Sequence, residues 1–254
     1  MRREAPILEF DPAPAAVIEP SRYNRRIDVA EHCVVTFFQD VIDGLAAQQR
    51  LRMVKSIRSE IGLHPLYEIS LDGRRLALIH PGVGAPLAAA LLESVIARGC
   101  RKFVVCGGAG VLDSAIAAGQ AIVLSGAVRD EGTSYHYLPP GRVVEASPEA
   151  TAALEAVLRE RGQPCRTALS WTTDAIFRET RDKVRARREE GCAVVEMEAA
   201  ALFAVARFRG VTIGQVVYGG DDVSGDEHDH RDWLRLERER ERLFAAAAEA
   251  CLRL

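Results

Sequence analysis

Short apolar segments alternate with longer amphipathic segments along most of the chain, and glycines often separate the two. The short segments have the length of buried β-strands, and they predict strands at 75–80, 102–106, 121–128, 167–171 and 211–218. In the longer segments apolar residues recur at helical spacing, which predicts helices at 85–98, 148–161, 194–209 and 233–252. This alternation is typical of an α/β domain with a largely parallel sheet.

The remaining segments carry weaker signals. Residues 1–25 are rich in proline and predict an irregular N-terminal segment. A strand at 34–38 and a helix near 40–59 are expected next, and the polar stretch 129–142 is expected to be a loop. The chain has no internal repeat and no linker, so residues 1–254 are interpreted as a single domain.

Composition and charge disfavour several classes of protein. The 254 residues are 48% hydrophobic, enough for one sizeable core, and the formal net charge of −3 gives no bias toward nucleic acid. No segment approaches the roughly 20 apolar residues of a membrane span, and no signal peptide is expected. The charged run 237–242 is interpreted as a solvated helix face.

Six cysteines occur without a C-x-x-C pair or a zinc-ligand spacing. They favour a reducing compartment, so a cytoplasmic protein is expected. His228 and His230 lie in a wholly polar segment with no companion cysteine or histidine cluster. That segment is expected to be an exposed loop, and no metal site is predicted.

Glycines close three of the predicted strands, at Gly82 and Gly84, at Gly107, Gly108 and Gly110, and at Gly219 and Gly220. Ligands of open α/β sheets bind beyond the carboxyl ends of strands, where glycine lets backbone N–H groups approach an anion or a sugar. The alternative interpretation is that these glycines only form tight turns. Gly82 and Gly84 form half of a dinucleotide-binding fingerprint, but its third glycine is missing, which disfavours a nicotinamide-dependent oxidoreductase.

Acidic residues interrupt apolar sequence at two places. Glu196 and Glu198 lie at the start of the predicted helix 194–209, where a carboxylate accepts hydrogen bonds from sugar hydroxyls or simply begins a helix. Asp221 and Asp222 follow a predicted strand. An acid there acts as a general acid if burial raises its pKa, or it caps a helix or turn. Both interpretations stay open at each place.

Together these segments resemble the nucleoside phosphorylase superfamily of uridine phosphorylases and hexameric purine nucleoside phosphorylases. The stretch Val195-Glu196-Met197-Glu198-Ala199 resembles the family's V-E-M-E-A motif. Four further stretches agree with the family's order, at 80–86, 99–110, 132–139 and 220–222. The resemblance covers roughly residues 15–250, and it implies one α/β domain whose mixed, partly closed sheet is flanked by helices.

The family implies a nucleoside phosphorylase, in which phosphate attacks the sugar C1′ and a purine or pyrimidine base leaves. The products are the free base and a pentose 1-phosphate. By this resemblance Glu198 accepts hydrogen bonds from the 2′- and 3′-hydroxyls, Met197 packs on the sugar, and Glu196 belongs to the same substrate-binding motif. Asp221 matches the acid that serves the leaving base, with Asp222 one position later as the alternative. No cofactor is implied, and inorganic phosphate is the co-substrate.

The expected phosphate site departs from the family pattern. Arg22 matches an arginine of an early family motif, and Arg58 matches one that reaches the neighbouring subunit's site. Gly107 and Gly108 lie in the phosphate-binding loop. However, Val105 stands where the family has a third arginine, and Gly108 stands where it has a hydroxyl. Losing a bidentate arginine weakens charge-assisted binding of phosphate.

Two alternatives arise from that departure. A nucleosidase uses water and needs fewer arginines, and a catalytically silent nucleoside-binding protein needs none, although Glu198 and Asp221 argue against it. Arg129 and the backbone amides of 107–110 are candidates to replace the missing contacts.

Recognition of the base is expected from the segment after strand 167–171. Phe177 is expected to stack on the base and Arg178 to hydrogen-bond it, with core packing and a surface charge as the alternatives. The family's glutamine and arginine pair for uracil is missing at the corresponding spacing.

The resemblance also bears on the 5′ side of the sugar and on assembly. His136 and Tyr137 lie in a loop like that of uridine phosphorylases, and they are expected to close over the sugar's 5′ side. Because Arg58 would act across an interface, the resemblance implies a homodimer or homohexamer. The implied partners are a nucleoside and phosphate, with no nucleic acid and no membrane.

Overall fold

The computed structural model of the protein describes residues 5–254, so residues 1–4 of the predicted irregular segment lie outside the described part. Residues 5–31 include a 3-10 turn at Pro6–Leu8 and the short helix α1 at Pro20–Tyr23. The next elements are β1 (His32–Thr36), α2 (Gln39–Ala47), β2 (Arg52–Ser59), β3 (Gly62–Leu71), β4 (Arg74–Ile79), α3 (Ala85–Arg98), β5 (Lys102–Val111) and β6 (Ala121–Asp130). The last are β7 (Val143–Glu145), α4 (Pro148–Glu160), β8 (Cys165–Thr173), α5 (Arg181–Glu189), β9 (Cys192–Glu196), α6 (Ala199–Arg209), β10 (Thr212–Asp222) and α7 (Glu237–Leu252).

The ten strands found within residues 5–254 form one mixed sheet in the order β10-β6-β8-β9-β5-β1-β4-β3-β2, with β7 beside β6. Strand β10 also pairs in parallel with β5, so β10, β6, β8, β9 and β5 close into a ring. Strands β1 and β4 extend the sheet in parallel, and β2 and β3 add an antiparallel edge. The predicted α/β fold with a mixed, partly closed sheet is confirmed.

Helices cover the sheet on two sides. Apolar faces of α3 and α6 pack on one side with Phe103 and Val105 of β5. Helices α2, α4 and α7 pack on the other side with Val104 and Cys106 of the same strand. Successive side chains of a strand point to opposite faces, so β5 is buried on both. In the part of the chain that the structure describes, no helix has the length and apolar character to cross a membrane.

The predicted helix near 40–59 is wrong in its second half. Helix α2 ends at Ala47, and Gln49 has a left-handed backbone with φ of 55°, which turns the chain into β2. Strand β2 pairs with β3, which the sequence pattern did not indicate. The hairpin lies at the sheet edge, and β2 is mostly exposed, so its apolar residues show little of the alternation that marks a strand.

The predicted helix at 194–209 is wrong in its first turn. Val194 and Val195 belong to β9, which pairs with β5 and β8, and helix α6 begins only at Ala199. The apolar run is continuous because both elements are buried, so its composition does not reveal the boundary. Helix α5 was also missed, since its sequence is mostly charged and only Val184 and Arg187 are buried.

Candidate active site

A cavity of about 860 Å³ lies at the carboxyl ends of β5, β9 and β10. Its wall includes the glycine segment 107–110, the acidic segment 196–198, and Asp221. The sequence placed the glycines and Asp221 at strand ends and the acids at 196 and 198 at a helix start, and the closed ring of strands brings these segments together. Strands β5 and β10 run parallel and share one carboxyl edge, and the antiparallel pairing of β9 with β5 places Val195 opposite Gly110, which explains the convergence.

Glu196, at the end of β9, is fully committed to protein contacts. Its Oε1 accepts hydrogen bonds from the hydroxyls of Ser170 at 2.9 Å and Thr172 at 2.6 Å. Its Oε2 accepts from the backbone N–H groups of Glu198 at 2.8 Å and Ala199 at 2.6 Å. Burial raises the pKa of Glu196, and these four donors oppose that shift. Although Glu196 lines the cavity, both oxygens are occupied, so its role is to join β9 to α6.

Glu198 is the carboxyl of this motif that remains available. It precedes the first turn of α6, and its side chain is buried, with 6% of the residue exposed. One oxygen accepts a 2.5 Å hydrogen bond from the N–H of Gly84, whose φ of 96° suits glycine. Burial, followed by the charge of Glu196, raises the pKa of Glu198 to about 8. Glu198 is therefore mainly protonated at neutral pH.

This raised pKa predicts how stability depends on pH. The folded state keeps a proton on Glu198 up to about pH 8, whereas the unfolded chain loses it near pH 4.5. The folded state binds more protons in this window, so the free energy of unfolding falls as pH rises from 4.5 to 8. Glu198→Gln removes the effect and should stabilise the protein at pH 8 by roughly 2–4 kcal/mol.

Thermal unfolding at two pH values tests this prediction. The excess Tm of Glu198→Gln over the wild type should grow from pH 5 to pH 8 by several degrees. An excess that stays constant or shrinks with pH would show that Glu198 ionises at an ordinary pKa in the fold.

The neighbouring residues Asp221 and Asp222 make different contacts. Asp221 lines the cavity, and the imidazole Nε2 of His228 lies 2.8 Å from its Oδ2. Asp222 is buried, forms an ion pair with Arg231, and accepts a 2.8 Å hydrogen bond from the N–H of Ser224. Asp221 is therefore the acid that can meet a ligand, and Asp222 anchors the following loop. That loop is exposed as predicted, and residues 5–254 contain no cluster of acids, cysteines and histidines suited to a metal ion.

Gly108 lies against the ring of Tyr218. A Cβ at position 108 would come within 2.9 Å of Tyr218 Cζ and 3.0 Å of its hydroxyl oxygen, so the close approach requires glycine. Arg240 Nε donates a 3.3 Å hydrogen bond to that hydroxyl, and Arg240 Nη1 lies 2.9 Å from Asp40 Oδ2. Tyr218 thus fills the space that a hydroxyl side chain at 108 would use.

Only some of the residues predicted to bind phosphate line the cavity. Gly107 and Gly108 line the cavity, whereas Arg22 on α1 and Arg58 on β2 are exposed and are not among its lining residues. Arg129 does not compensate, since it is buried and donates to the Ser134 hydroxyl and to the carbonyls of Pro139 and Leu138. The segment 129–142 is therefore no simple polar loop, because Arg129 still belongs to strand β6 and holds residues 134–139 against its end.

The segment after β8 places its two predicted base contacts differently. Phe177 lines the cavity with 94% of its surface exposed, which leaves its ring free for stacking. Arg178 is exposed and is not among the lining residues. Glu179, which the sequence did not single out, lines the cavity instead.

His136 and Tyr137 lie elsewhere. Both line a second cavity of about 910 Å³, which the N-terminal residues 11–24 also border. Tyr137 packs edge-on against Phe208, with ring centroids 5.6 Å apart. Within this chain they do not join the wall of the first cavity, so their predicted place over the 5′ side of a sugar stays a prediction.

The sequence matches the description "Phosphorylase superfamily" over residues 31–253, which is most of the chain. The chain belongs to the phosphorylase superfamily. The family resemblance that the motifs indicated is therefore confirmed.

Curated relatives in this superfamily carry nucleoside phosphorylase names. A guanosine phosphorylase of Halorubrum lacusprofundi is 27% identical over 65% of this chain and 68% of its own length. A uridine phosphorylase of Thermococcus kodakarensis is 27% identical over 62% of each chain, and that of Escherichia coli is 23% identical over 59% of this chain and 65% of its own. The chain thus spans roughly two thirds of the length of these relatives.

Solved phosphorylase superfamily structures share the fold. The purine nucleoside phosphorylase of Toxoplasma gondii, solved with immucillin-H, has a TM-score of 0.77 at 18% identity, over 88% of this chain and 91% of its own. A uridine phosphorylase of Vibrio fischeri has a TM-score of 0.74 at 19% identity, over 89% of this chain and 93% of its own. At these identities the likeness establishes the fold.

Several cavity residues of this phosphorylase superfamily member escaped the sequence interpretation, among them Tyr218, Arg240 and Glu179. Tyr218 ends an apolar strand, and Arg240 lies in the charged run that was interpreted as a solvated face. That interpretation is wrong for Arg240, which turns toward Tyr218. Glu179 lies two residues after Phe177, and this proximity to a predicted base contact is the one signal that would have found it.

Proposed function

We propose that this protein is a nucleoside phosphorylase, a pentosyltransferase that cleaves the N-glycosidic bond of a purine or pyrimidine nucleoside with inorganic phosphate. The observation that carries the proposal is Glu198, a buried carboxyl that no cation among residues 5–254 neutralises. It shares its cavity with the exposed ring of Phe177 and with Asp221. A hydroxyl-accepting acid, a stacking surface and a second acid are what a nucleoside requires.

The reaction can be derived from this arrangement. The sugar hydroxyls donate to Glu198, which favours its ionised form, and Met197 packs against the ring of the sugar. A phosphate oxygen forms a bond to C1′ as the C1′–N bond breaks and its electron pair passes to the base. Positive charge that develops on the sugar in the transition state is stabilised by the Glu198 carboxylate. No cofactor takes part, and phosphate is the co-substrate.

Phosphate meets few cations within one chain. Among the described lining residues Arg240 is the one arginine, and it is already paired with Asp40. The backbone amides of 107–110, Arg22 and the neighbouring subunit's Arg58 remain proposed contacts. A homo-oligomer therefore belongs to the proposal. It is supported by the exposed apolar side chains Met53, Ile61 and Leu63 on the β2–β3 hairpin.

A cytoplasmic location is part of the same proposal. The six cysteines carry free thiols and five of them are buried, as expected of a protein from a reducing compartment.

Hydrolysis is the second candidate function. Five carboxyl side chains line the cavity, those of Asp40, Glu179, Glu196, Glu198 and Asp221. Arg240 is the one arginine among the described lining residues, so this wall attracts a phosphate dianion only weakly, whereas water needs no cation to bind. This observation favours a nucleosidase over the silent binding protein.

The test is release of free base from guanosine, inosine, adenosine and uridine, with and without inorganic phosphate. For a phosphorylase, release should require phosphate and yield pentose 1-phosphate in equal amount to the base. Equal rates without phosphate, with free pentose as product, would establish the nucleosidase. If no nucleoside releases its base under either condition, both enzymatic functions are excluded for these substrates.

A further inference from the structure

Glu179 is a further acidic residue of the cavity wall. It lies between the 3-10 turn Ile176–Arg178 and helix α5, is partly buried, and lines the cavity beside Phe177. Among residues 5–254 no group donates a hydrogen bond to its carboxyl or forms an ion pair with it. A half-buried carboxyl without donors is more stable in its neutral form.

A second carboxyl strengthens this preference. The Asp221 carboxyl lines the same cavity and interacts electrostatically with Glu179. His228 lies within hydrogen-bond distance of Asp221, with 2.8 Å between Nε2 and Oδ2. A neighbouring carboxyl disfavours the charged form of Glu179, and no hydrogen-bond donor among residues 5–254 offsets that effect. The proton therefore resides on Glu179.

The electrostatics of the cavity agree with this distribution. Burial, followed by the charge of Asp221, raises the pKa of Glu179 to about 7, and His228 opposes the shift. Other charged groups of the cavity wall are Glu196 and Glu198 at the β9–α6 junction, Asp40 on α2 and Arg240 on α7. Most of these groups are acidic, so the wall favours a neutral Glu179.

We propose that Glu179, and not Asp221, is the general acid that protonates the leaving base. The assignment rests on the proposed function, and it makes the Asp221–His228 pair a positioning element that keeps the proton on Glu179. Glu179 lies beside the exposed ring of Phe177, where a stacked base would present its edge to the carboxyl.

Protons and electrons balance in this step. As the C1′–N bond breaks, its electron pair passes to the base, and the Glu179 O–H proton bonds to a ring nitrogen or carbonyl oxygen of that base. Glu179 becomes a carboxylate. The hydrogen phosphate that attacks C1′ gives a protonated pentose 1-phosphate, whose proton returns to Glu179 through water.

The experiment is a pH–rate profile of kcat/KM for the wild type, Glu179→Gln and Asp221→Asn. The wild-type rate should fall as pH rises above about 7, since the acid must be protonated. Glu179→Gln should lower kcat/KM by about 100-fold and abolish this alkaline limb. Asp221→Asn should move the limb to lower pH, because removal of the like charge lowers the pKa of Glu179.

Two controls separate proton transfer from structure. Glu189→Gln changes an exposed glutamate on the adjacent α5 and should match the wild type. A purine nucleoside methylated at N7 carries a cationic base that leaves without a proton, so Glu179→Gln should cleave it at nearly the wild-type rate. A variant with a merely damaged cavity would lose both substrates equally.

The outcomes are distinct. Wild-type kcat/KM and an unchanged alkaline limb in Glu179→Gln would overturn the assignment and leave the phosphorylase intact. A wild type that releases no base would overturn the proposed function itself. Carboxyl 13C NMR of glutamate-labelled protein gives a readout without turnover: the resonance missing in Glu179→Gln should titrate near pH 7, and titration near 4.5 would overturn the assignment.

Discussion

Glu198→Gln should lower kcat/KM for nucleoside cleavage by about 100- to 1,000-fold, because glutamine has one acceptor oxygen instead of two and no negative charge to stabilise positive charge on the sugar. Hydrogen bonds to a charged group contribute about 1.5–3 kcal/mol each, and each 1.36 kcal/mol corresponds to a factor of ten in rate. Steady-state kinetics on the best nucleoside of the panel measures the loss. The amide can still accept the hydrogen bond from the N–H of Gly84, so the fold should persist.

Three comparisons interpret that result. The Tm of Glu198→Gln must equal or exceed that of the wild type, so that unfolding cannot explain the loss. Glu145→Gln, at an exposed position that ends β7, should retain wild-type kinetics. If Glu198→Gln keeps kcat/KM within threefold of the wild type, Glu198 does not bind the sugar in the transition state.

Glu196→Ala should destabilise the fold by about 3–5 kcal/mol, the range found when one partner of a buried charged network is removed. Four donors lose their acceptor at once, two hydroxyls and two backbone N–H groups. These four donors are buried, so water cannot easily replace the carboxylate as their acceptor. The Tm should fall by roughly 10 °C, measured by calorimetry at pH 7.

Glu145→Ala serves as the matched control, since it removes the same atoms from an exposed glutamate and should leave the Tm within about 1 °C of the wild type. An unchanged Tm in Glu196→Ala would mean that these four hydrogen bonds contribute nothing net. Two acids of one short motif are thus expected to move stability in opposite directions, with Glu198→Gln raising it and Glu196→Ala lowering it.

The glycine segment shows why one departure from the family pattern has a local cause. A hydroxyl side chain at 108 is incompatible with Tyr218, whose hydroxyl reaches the same space and binds Arg240. The two residues lie far apart in sequence, so neither position by itself predicts the other. Only the pairing of β5 with β10 places Gly108 opposite Tyr218.

Much of the fold was determined by local sequence. Helix α3 was predicted with the bounds that the structure has, since Gly84 and Gly99 flank a continuous apolar pattern and both adopt positive φ. The family was likewise determined by short motifs, above all the acids at 196 and 198. The predicted element boundaries were wrong where two consecutive elements are both buried, as at the junction of β9 with α6. They were also wrong where an edge strand is mostly exposed, as in β2.

The tertiary structure alone decided what each acidic residue does. Glu196 and Glu198 are indistinguishable as residue types, yet Glu196 accepts hydrogen bonds from four donors, whereas Glu198 accepts from the backbone N–H groups of Gly84 and Met197. Asp221 and Asp222 separate in the same way, and Glu179 becomes notable only because folding brings it near Asp221, which is distant along the chain. The charge state of a carboxyl depends on its burial and on neighbours brought together by folding, and a linear sequence contains neither.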